Sequence, residues 1–208
     1  MKIGVLGTGM VGDAIASKLV SLGHEVTMGS REANSPKAKE WSKHAGSQAK
    51  AGSFADAARF GELLFNCTNG ANSVSALQAA GEGNLGDKTL IDVANVLPPD
   101  PSRIGSLGEE IQKTFPRLRV VKTLNTINCQ VMVDPTRVPG AHTVFLCGND
   151  DGAKKSASGL LEAFGWKDVV DLGDITNARA TEAYLPLWLA LWKKLGTLDF
   201  NIGVVRRS

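Results

Sequence analysis

The stretch Lys2-Ile3-Gly4-Val5-Leu6-Gly7-Thr8-Gly9-Met10-Val11-Gly12 decides how the chain is read. A short apolar run ends in glycine, and apolar residues at helical spacing follow at once: Val11, Ile15, Leu19 and Leu22. Gly23 stands where a helix C-terminus favours glycine, and 24–28 form a second strand. Together these pieces make a β-α-β unit of about thirty residues, the size that a crossover helix requires. Each glycine has a task. Gly7 permits the tight turn, Gly9 lets the backbone approach a pyrophosphate, and Gly12 lets the helix pack closely on the sheet. The amides of Thr8, Gly9, Met10 and Val11 then face the phosphates at the positive end of a helix.

Outward from this unit the alternation continues. Helices are expected over 36–43, 53–58 (short and capped), 71–80 and 107–115, with strands at 62–68, 89–93 and 119–124. Such alternation implies a parallel sheet covered by helices on both faces. Strands at 143–146 and 167–172 flank a helix at 151–164, and one long apolar helix at 177–195 ends the pattern. The expected architecture is a Rossmann-type, doubly wound, mostly parallel α/β sheet with a short C-terminal extension ending in an apolar helix. It forms one domain over 1–208, with 1–140 as the dinucleotide-binding core and 141–208 as the sheet extension and final helix. No linker, repeat or low-complexity stretch interrupts it.

Composition narrows the function classes. The 208 residues carry a formal charge of only +2, with 43% hydrophobic and 21% charged residues. Scattered basic residues give no footprint for nucleic acid. No apolar run reaches the length of a membrane span, and no leader pattern precedes the first strand. Cys67, Cys129 and Cys147 are odd in number, widely spaced and without a C-x-x-C pair, so neither a disulfide framework nor a metal site is expected, and a reducing cytoplasm fits.

The second strand selects the nucleotide. An NAD site places Asp or Glu at this strand's end to bond the ribose 2′-hydroxyl. Here the strand ends Thr27-Met28-Gly29-Ser30-Arg31, with no carboxylate at the end position. Arg31 can clamp a 2′-phosphate bidentately and stack on adenine, Ser30 can add a hydrogen bond, and Lys37 can add a charge. The expected cofactor is NADP(H).

In a doubly wound sheet the ligand lies across the carboxyl ends of the strands. Those ends carry Thr68 and Asn69, Ala94 and Asn95, and Asn125, Thr126 and Ile127. The groups are polar and uncharged, suited to ribose hydroxyls, a carboxamide or a flat heterocycle. His24, His44 and His142 all lie elsewhere, and no Tyr-x-x-x-Lys pair is present. The proton donor expected of an alcohol or hydroxy-acid dehydrogenase is therefore missing. Hydride transfer between two cofactors demands less, because the protein mainly aligns them. Lys122 is the one wildcard for proton chemistry: it lies within a strand, where such a lysine more often snorkels at the sheet edge.

With these residues in place the chain resembles the NADPH-dependent reductases of the deazaflavin coenzyme F420. It is also similar to the NADPH-binding domain of six-transmembrane metalloreductases. The markers are Gly7-x-Gly9-x-x-Gly12, Gly29-Ser30-Arg31, Val121-Lys122-Thr123-Leu124-Asn125-Thr126, Leu146-Cys147-Gly148-Asn149-Asp150-Asp151, and the segment from Asp171-Leu172-Gly173 through Ala178-Arg179. The resemblance implies hydride transfer between NADPH and a flavin or deazaflavin. It assigns Thr8, Ser30, Arg31 and Lys37 to NADP, and Asn125, Thr126 and Ile127 to the second cofactor's pocket. The deazaflavin reductases carry histidine at the position of Asn125, whereas the metalloreductase domains carry asparagine, as here. Flavin, coenzyme F420 and other acceptors therefore stay open, as do a reductase of small carbonyls or imines and a non-catalytic NADP(H) sensor. Tyr184, Trp188 and Trp192 crowd the final helix with apolar residues on more than one face, which points first to burial under the sheet or at a symmetric homodimer contact, and second to a wall of the acceptor pocket.

Overall fold

Successive apolar residues in the strands feed two separate layers. The computed structural model describes residues 1–99 and 105–207. In it β1 (Lys2–Leu6) sends Ile3 and Val5 into one layer and Leu6 into the other. The same division holds in β4 (Leu63–Asn66), with Phe65 against Leu64; in β5 (Thr89–Asp92), with Ile91 against Leu90; and in β6 (Arg119–Thr123), with Val121 against Val120. Strands buried on both faces need apolar residues at adjacent positions, so they read as runs rather than alternations. The first layer is completed by α1 (Met10–Ser21), α2 (Pro36–Ala45), α7 (Cys129–Val133) and α8 (Asp151–Phe164). The second is completed by α3 (Phe54–Phe60), α4 (Ser73–Ala80), α5 (Glu82–Leu85), α6 (Leu107–Thr114) and α9 (Ala178–Ala183).

The remaining strands are β2 (Glu25–Ser30), β3 (Ala49–Ser53), β7 (Val144–Gly148) and β8 (Val169–Asp171). All eight form one sheet in the order β3-β2-β1-β4-β5-β6-β7-β8. Neighbours are parallel except β6 and β7, which pair antiparallel. The chain winds outward from β1 to β3, then returns to β4 and winds the other way. That reversal opens a crevice above the carboxyl ends of β1 and β4, where nucleotides bind in such sheets.

Several sequence expectations need correction. Ala49–Ser53 was not expected to be a strand, since Ala-Lys-Ala-Gly-Ser lacks every β-branched and aromatic residue. It forms because β2 offers a free edge for backbone pairing, from Val26 opposite Ala49 to Ser30 opposite Ser53. The long helix expected over 177–195 is divided at Tyr184 into α9 and α10 (Leu185–Leu195). Pro186 sits in the first turn of α10, where its missing N–H is tolerated; inside a continuous helix it would remove a ladder bond. The apolar residues of α10 are not covered by the sheet: only Leu185 is buried, and Leu187 and Leu195 are 55% and 53% exposed.

Lys122 is the largest departure. It does not snorkel at an edge, because β6 has a strand on each side and the side chain is fully buried. Its Nζ lies 2.8 Å from Asp92 Oδ2 and 3.0 Å from Glu182 Oε1, and it also donates to the carbonyl of Ala94. Truncating one member of a buried ion network leaves the others charged and unpaired. Lys122→Ala is expected to lower stability by about 3–5 kcal/mol in chemical denaturation; a loss under about 1 kcal/mol would contradict the network's structural weight.

Candidate nucleotide and acceptor site

The glycine turn divides into two kinds of glycine. Gly7 has φ +123°, and a β-carbon there would lie 2.6 Å from Cys67 O. Its amide donates to Gly29 O at 2.9 Å, tying the turn to β2. A β-carbon on Gly12 would come within 2.2 Å of Gly7 O. These two are required by the protein's own packing. Gly9 is different: a β-carbon there would meet nothing within 4 Å. Its bareness serves no internal contact and leaves open space at the start of α1, as a cradle for pyrophosphate requires. The first intrahelical bond runs from Asp13 N to Gly9 O. The amides before Asp13 are therefore free of helix bonding and stand at the positive end of a twelve-residue helix.

At the end of β2, Gly29 is fixed by packing, since a β-carbon would lie 2.8 Å from that of Ala57. The Ser30 hydroxyl donates to the carbonyl of Glu32, so its proton is engaged in shaping the turn. It retains only acceptor capacity toward a ligand, although the sequence suggested a donor. Arg31 is exposed and has no hydrogen-bond or ion-pair partner among the described residues. Thr8 and Lys37 face a cleft of about 510 Å³ between α1 and α2, which Trp41 also lines. Trp41 is held there by its Nε1 donating to Ser17 Oγ at 3.0 Å.

Across the crevice the strand ends are cross-bonded. Thr68 donates its hydroxyl to Asn66 Oδ1 at 2.7 Å, and Asn69 Oδ1 caps the next turn by accepting from Ala71 N at 3.0 Å. Asn95 Nδ2 donates to Asn125 O at 2.6 Å, and Asn125 Nδ2 returns a bond to Asn95 Oδ1 at 3.2 Å. Ala94 is turned inward, its amide on Asp92 and its carbonyl on Lys122. Ile127 packs into the first apolar layer, and Thr126 is nearly buried. The turn before them holds Leu124 at φ +62°, a left-handed conformation uncommon for leucine. It brings Ile127 N to Leu124 O at 3.1 Å.

Beyond Asn95 lies a cavity of about 730 Å³. Asn95 and Val96 line one side, and Glu182, Leu185, Pro186 and Leu189 line the other. Glu182 accepts from the amides of Leu107 at 2.8 Å and Gly108 at 3.1 Å at the start of α6, and from Lys122. All three ammonium protons of Lys122 are thus committed to Asp92, Glu182 and Ala94, leaving none for a substrate. Burial raises all three cysteine thiols, Cys147 to about 12 and Cys67 and Cys129 above the usual thiol range, which disfavours the nucleophilic thiolate. The site therefore offers positioning groups and a cavity whose lining is mostly apolar but includes Arg179 and Glu182, without a free proton-transfer pair among the described residues.

The structure gathers Gly7, Thr8, Gly9, Met10, Val11, Gly12, Ser30, Arg31, Thr68, Asn69, Asn95 and Asn125 around one crevice at the strands' carboxyl ends. Lys37 adjoins it from α2. Sequence reasoning missed Asp92 and Glu182. Asp92 and Lys122 are register partners on β5 and β6, so two opposite charges, each following a pair of apolar residues in neighbouring strands, were the available signal.

Residues 2–96 match the family described as NADP oxidoreductase, coenzyme F420-dependent. The chain is 27% identical to the F420-dependent NADP reductase of Methanocaldococcus jannaschii, over 95% of this chain and 96% of that protein. It is 30% identical to metalloreductase STEAP3 of Rattus norvegicus over 92% of this chain, but spans only 38% of that protein's length. It superimposes with a TM-score of 0.91 and 48% identity on the crystal structure of a provisionally assigned F420-dependent NADP-reductase from Arthrobacter sp. FB24, covering 99% of this chain and 100% of that one.

The two kinds of glycine separate experimentally. Gly12→Ala forces the helix off the strand and is expected to cost several kcal/mol, at least about 3. Gly9→Ala is expected to leave thermal stability within about 1 kcal/mol while weakening nucleotide binding at least about tenfold. Equal stability losses in the two variants would remove the distinction.

Proposed function

This chain belongs to the coenzyme F420-dependent NADP oxidoreductase family, and from that premise we propose that it transfers hydride between NADP(H) and a flavin or deazaflavin acceptor. The observation that carries this reading is the pairing of an unfilled glycine cradle and an unpartnered Arg31 with an apolar cavity beyond Asn95. NADPH, when bound, supplies the hydride, and the protein's work is alignment. The amides of Thr8, Gly9, Met10 and Val11 would take the pyrophosphate. Arg31, with Thr8 and Lys37 nearby, would take the 2′-phosphate, and Ser30 would support that turn.

The reciprocal pair Asn95 and Asn125 supports the nicotinamide end, with Thr68, Asn69, Ala94, Thr126 and Ile127 shaping the floor. Val96, Leu185, Pro186 and Leu189 offer apolar surface for one face of a tricyclic ring. The committed protons of Lys122 favour cofactor-to-cofactor transfer over reduction of a carbonyl or imine, which needs a proton delivered to the substrate. We also propose that residues 1–208 act as one NADP-binding domain, working in a reducing cytoplasm as a homodimer. Three free buried cysteines and the exposed Leu187, Trp192 and Leu195 of α10 support those assignments.

Arg31→Ala is expected to weaken NADPH binding by roughly ten- to a hundredfold while changing NADH binding little. Equal weakening of both, read by fluorescence titration, would overturn the assignment of NADP. Mixing the protein with NADPH and a panel of riboflavin, flavin mononucleotide and coenzyme F420 is expected to oxidise NADPH with at least one of them. Turnover with a carbonyl or imine and with none of the panel would replace the acceptor class. Tight NADPH binding without any turnover would leave a sensor.

A further inference from the structure

We propose that the buried cluster of Asp92, Lys122 and Glu182 gives the crevice a net negative charge that holds the oxidised, cationic nicotinamide more tightly than the reduced, neutral one. The protein thereby biases its bound nucleotide toward releasing hydride. The proposal rests on the nucleotide reading above and is independent of which acceptor is used.

The charge follows from hydrogen-bond chemistry. Asp92 Oδ1 accepts from Asn66 Nδ2 at 2.8 Å and from Ala94 N at 3.2 Å, and Oδ2 accepts from Lys122 at 2.8 Å. The Asn66 amide cannot be turned around, because its Oδ1 accepts from the backbone N–H of Thr68 at 3.3 Å. Among the described residues, Glu182 is met by the amides of Leu107 and Gly108 and by the Lys122 ammonium. Every described partner of both acids is a hydrogen-bond donor, the complement of a carboxylate, which only accepts. Two negative charges thus face one positive. Arg179, which also lines the cavity, is matched by Glu109 in a bidentate pair with both contacts at 2.7 Å, so that pair adds no net charge. The amides of α6 offset part of the Glu182 charge, by about half a unit at a helix N-terminus, and the remainder is negative.

The cluster lies where that charge acts on the redox end of the nucleotide. Arg31 at β2 marks the adenosine half, so the nicotinamide half extends over the ends of β4, β5 and β6. Asp92 is the last residue of β5, Asn95 follows it, and Glu182 lines the adjoining cavity. The side chains of Asp92 and Lys122 are 0% exposed and that of Glu182 is 13% exposed, so water and salt screen the field weakly. When hydride leaves with its electron pair for the acceptor, the ring it leaves gains one positive charge. A fixed negative potential therefore acts on the two forms differently and lowers the potential of the bound couple.

The test is the ratio of NADP+ to NADPH dissociation constants, measured by calorimetry on the full chain. Glu182→Gln is expected to weaken NADP+ relative to NADPH by roughly three- to tenfold. Asp92→Asn removes the same charge from the other end, should move the ratio the same way, and serves if Glu182→Gln does not fold. Glu182→Asp disturbs the geometry but keeps the charge, and should leave the ratio within about twofold. If charge-removing and charge-keeping substitutions weaken both nucleotides by a common factor, the cluster is structural only and the proposal fails. Failure of the unmodified protein to bind NADPH would sink the nucleotide reading, and this proposal with it.

Discussion

An ammonium group sealed inside a sheet must find an acceptor for each of its protons, and the three that Lys122 finds come from three parts of the chain. Asp92 ends β5, Ala94 begins the loop above it, and Glu182 belongs to the α9 segment. Glu182 in turn takes the first amides of α6. One buried cation therefore fixes the strand ends that floor the crevice against the helices that wall its cavity. Desolvating three charged groups is costly, and the cost is offset because each ammonium proton has an acceptor and each carboxylate accepts three hydrogen bonds. That requirement limits movement of the Asn95 loop and holds it where the reciprocal bonds to Asn125 can form.

The opposite half of the crevice is organised by closeness rather than charge. Gly7 and Gly12 let α1 start almost on top of β1 and against Cys67 at the end of β4. Gly29 lets β2 carry α3 at a distance no larger residue permits. With the backbones this near, the amides at the start of α1 converge on the space above Gly9. The positive helix end and the unpartnered Arg31 then flank the same crevice, a suitable pairing for a ligand with phosphate at two places.

The two halves suit a reaction whose chemistry belongs to its cofactors. Close amides and an arginine hold an anionic nucleotide. On the other side, an asparagine pair and an apolar wall offer a flat ring a surface but no proton. Lys122, buried within the sheet, has no proton to spare, and burial raises the thiols of Cys67 and Cys147. Such an arrangement suits alignment of two rings, the role proposed above, better than proton delivery to a substrate.

The glycine spacing, the apolar runs and the helix caps were legible in the amino-acid sequence, because each is a local relation enforced by backbone geometry. Gly7 to Gly12 announced the turn, Gly29-Ser30-Arg31 carried the expectation of NADP(H), and Ser53 with Asp56 announced a capped helix that the structure contains. What remained hidden depended on contacts between distant segments. Ala49–Ser53 became a strand only because β2 offered it an edge, and the apolar face of α10 stayed outside because α9 turns away at Tyr184. Lys122 looked like an edge residue until the sheet order set β7 beside β6. Its partners lie 30 and 60 residues away in the chain. Spacing along the chain specifies turns and periods; only the register of neighbouring strands decides which charges meet in the interior, and the chemistry of this crevice depends on that meeting.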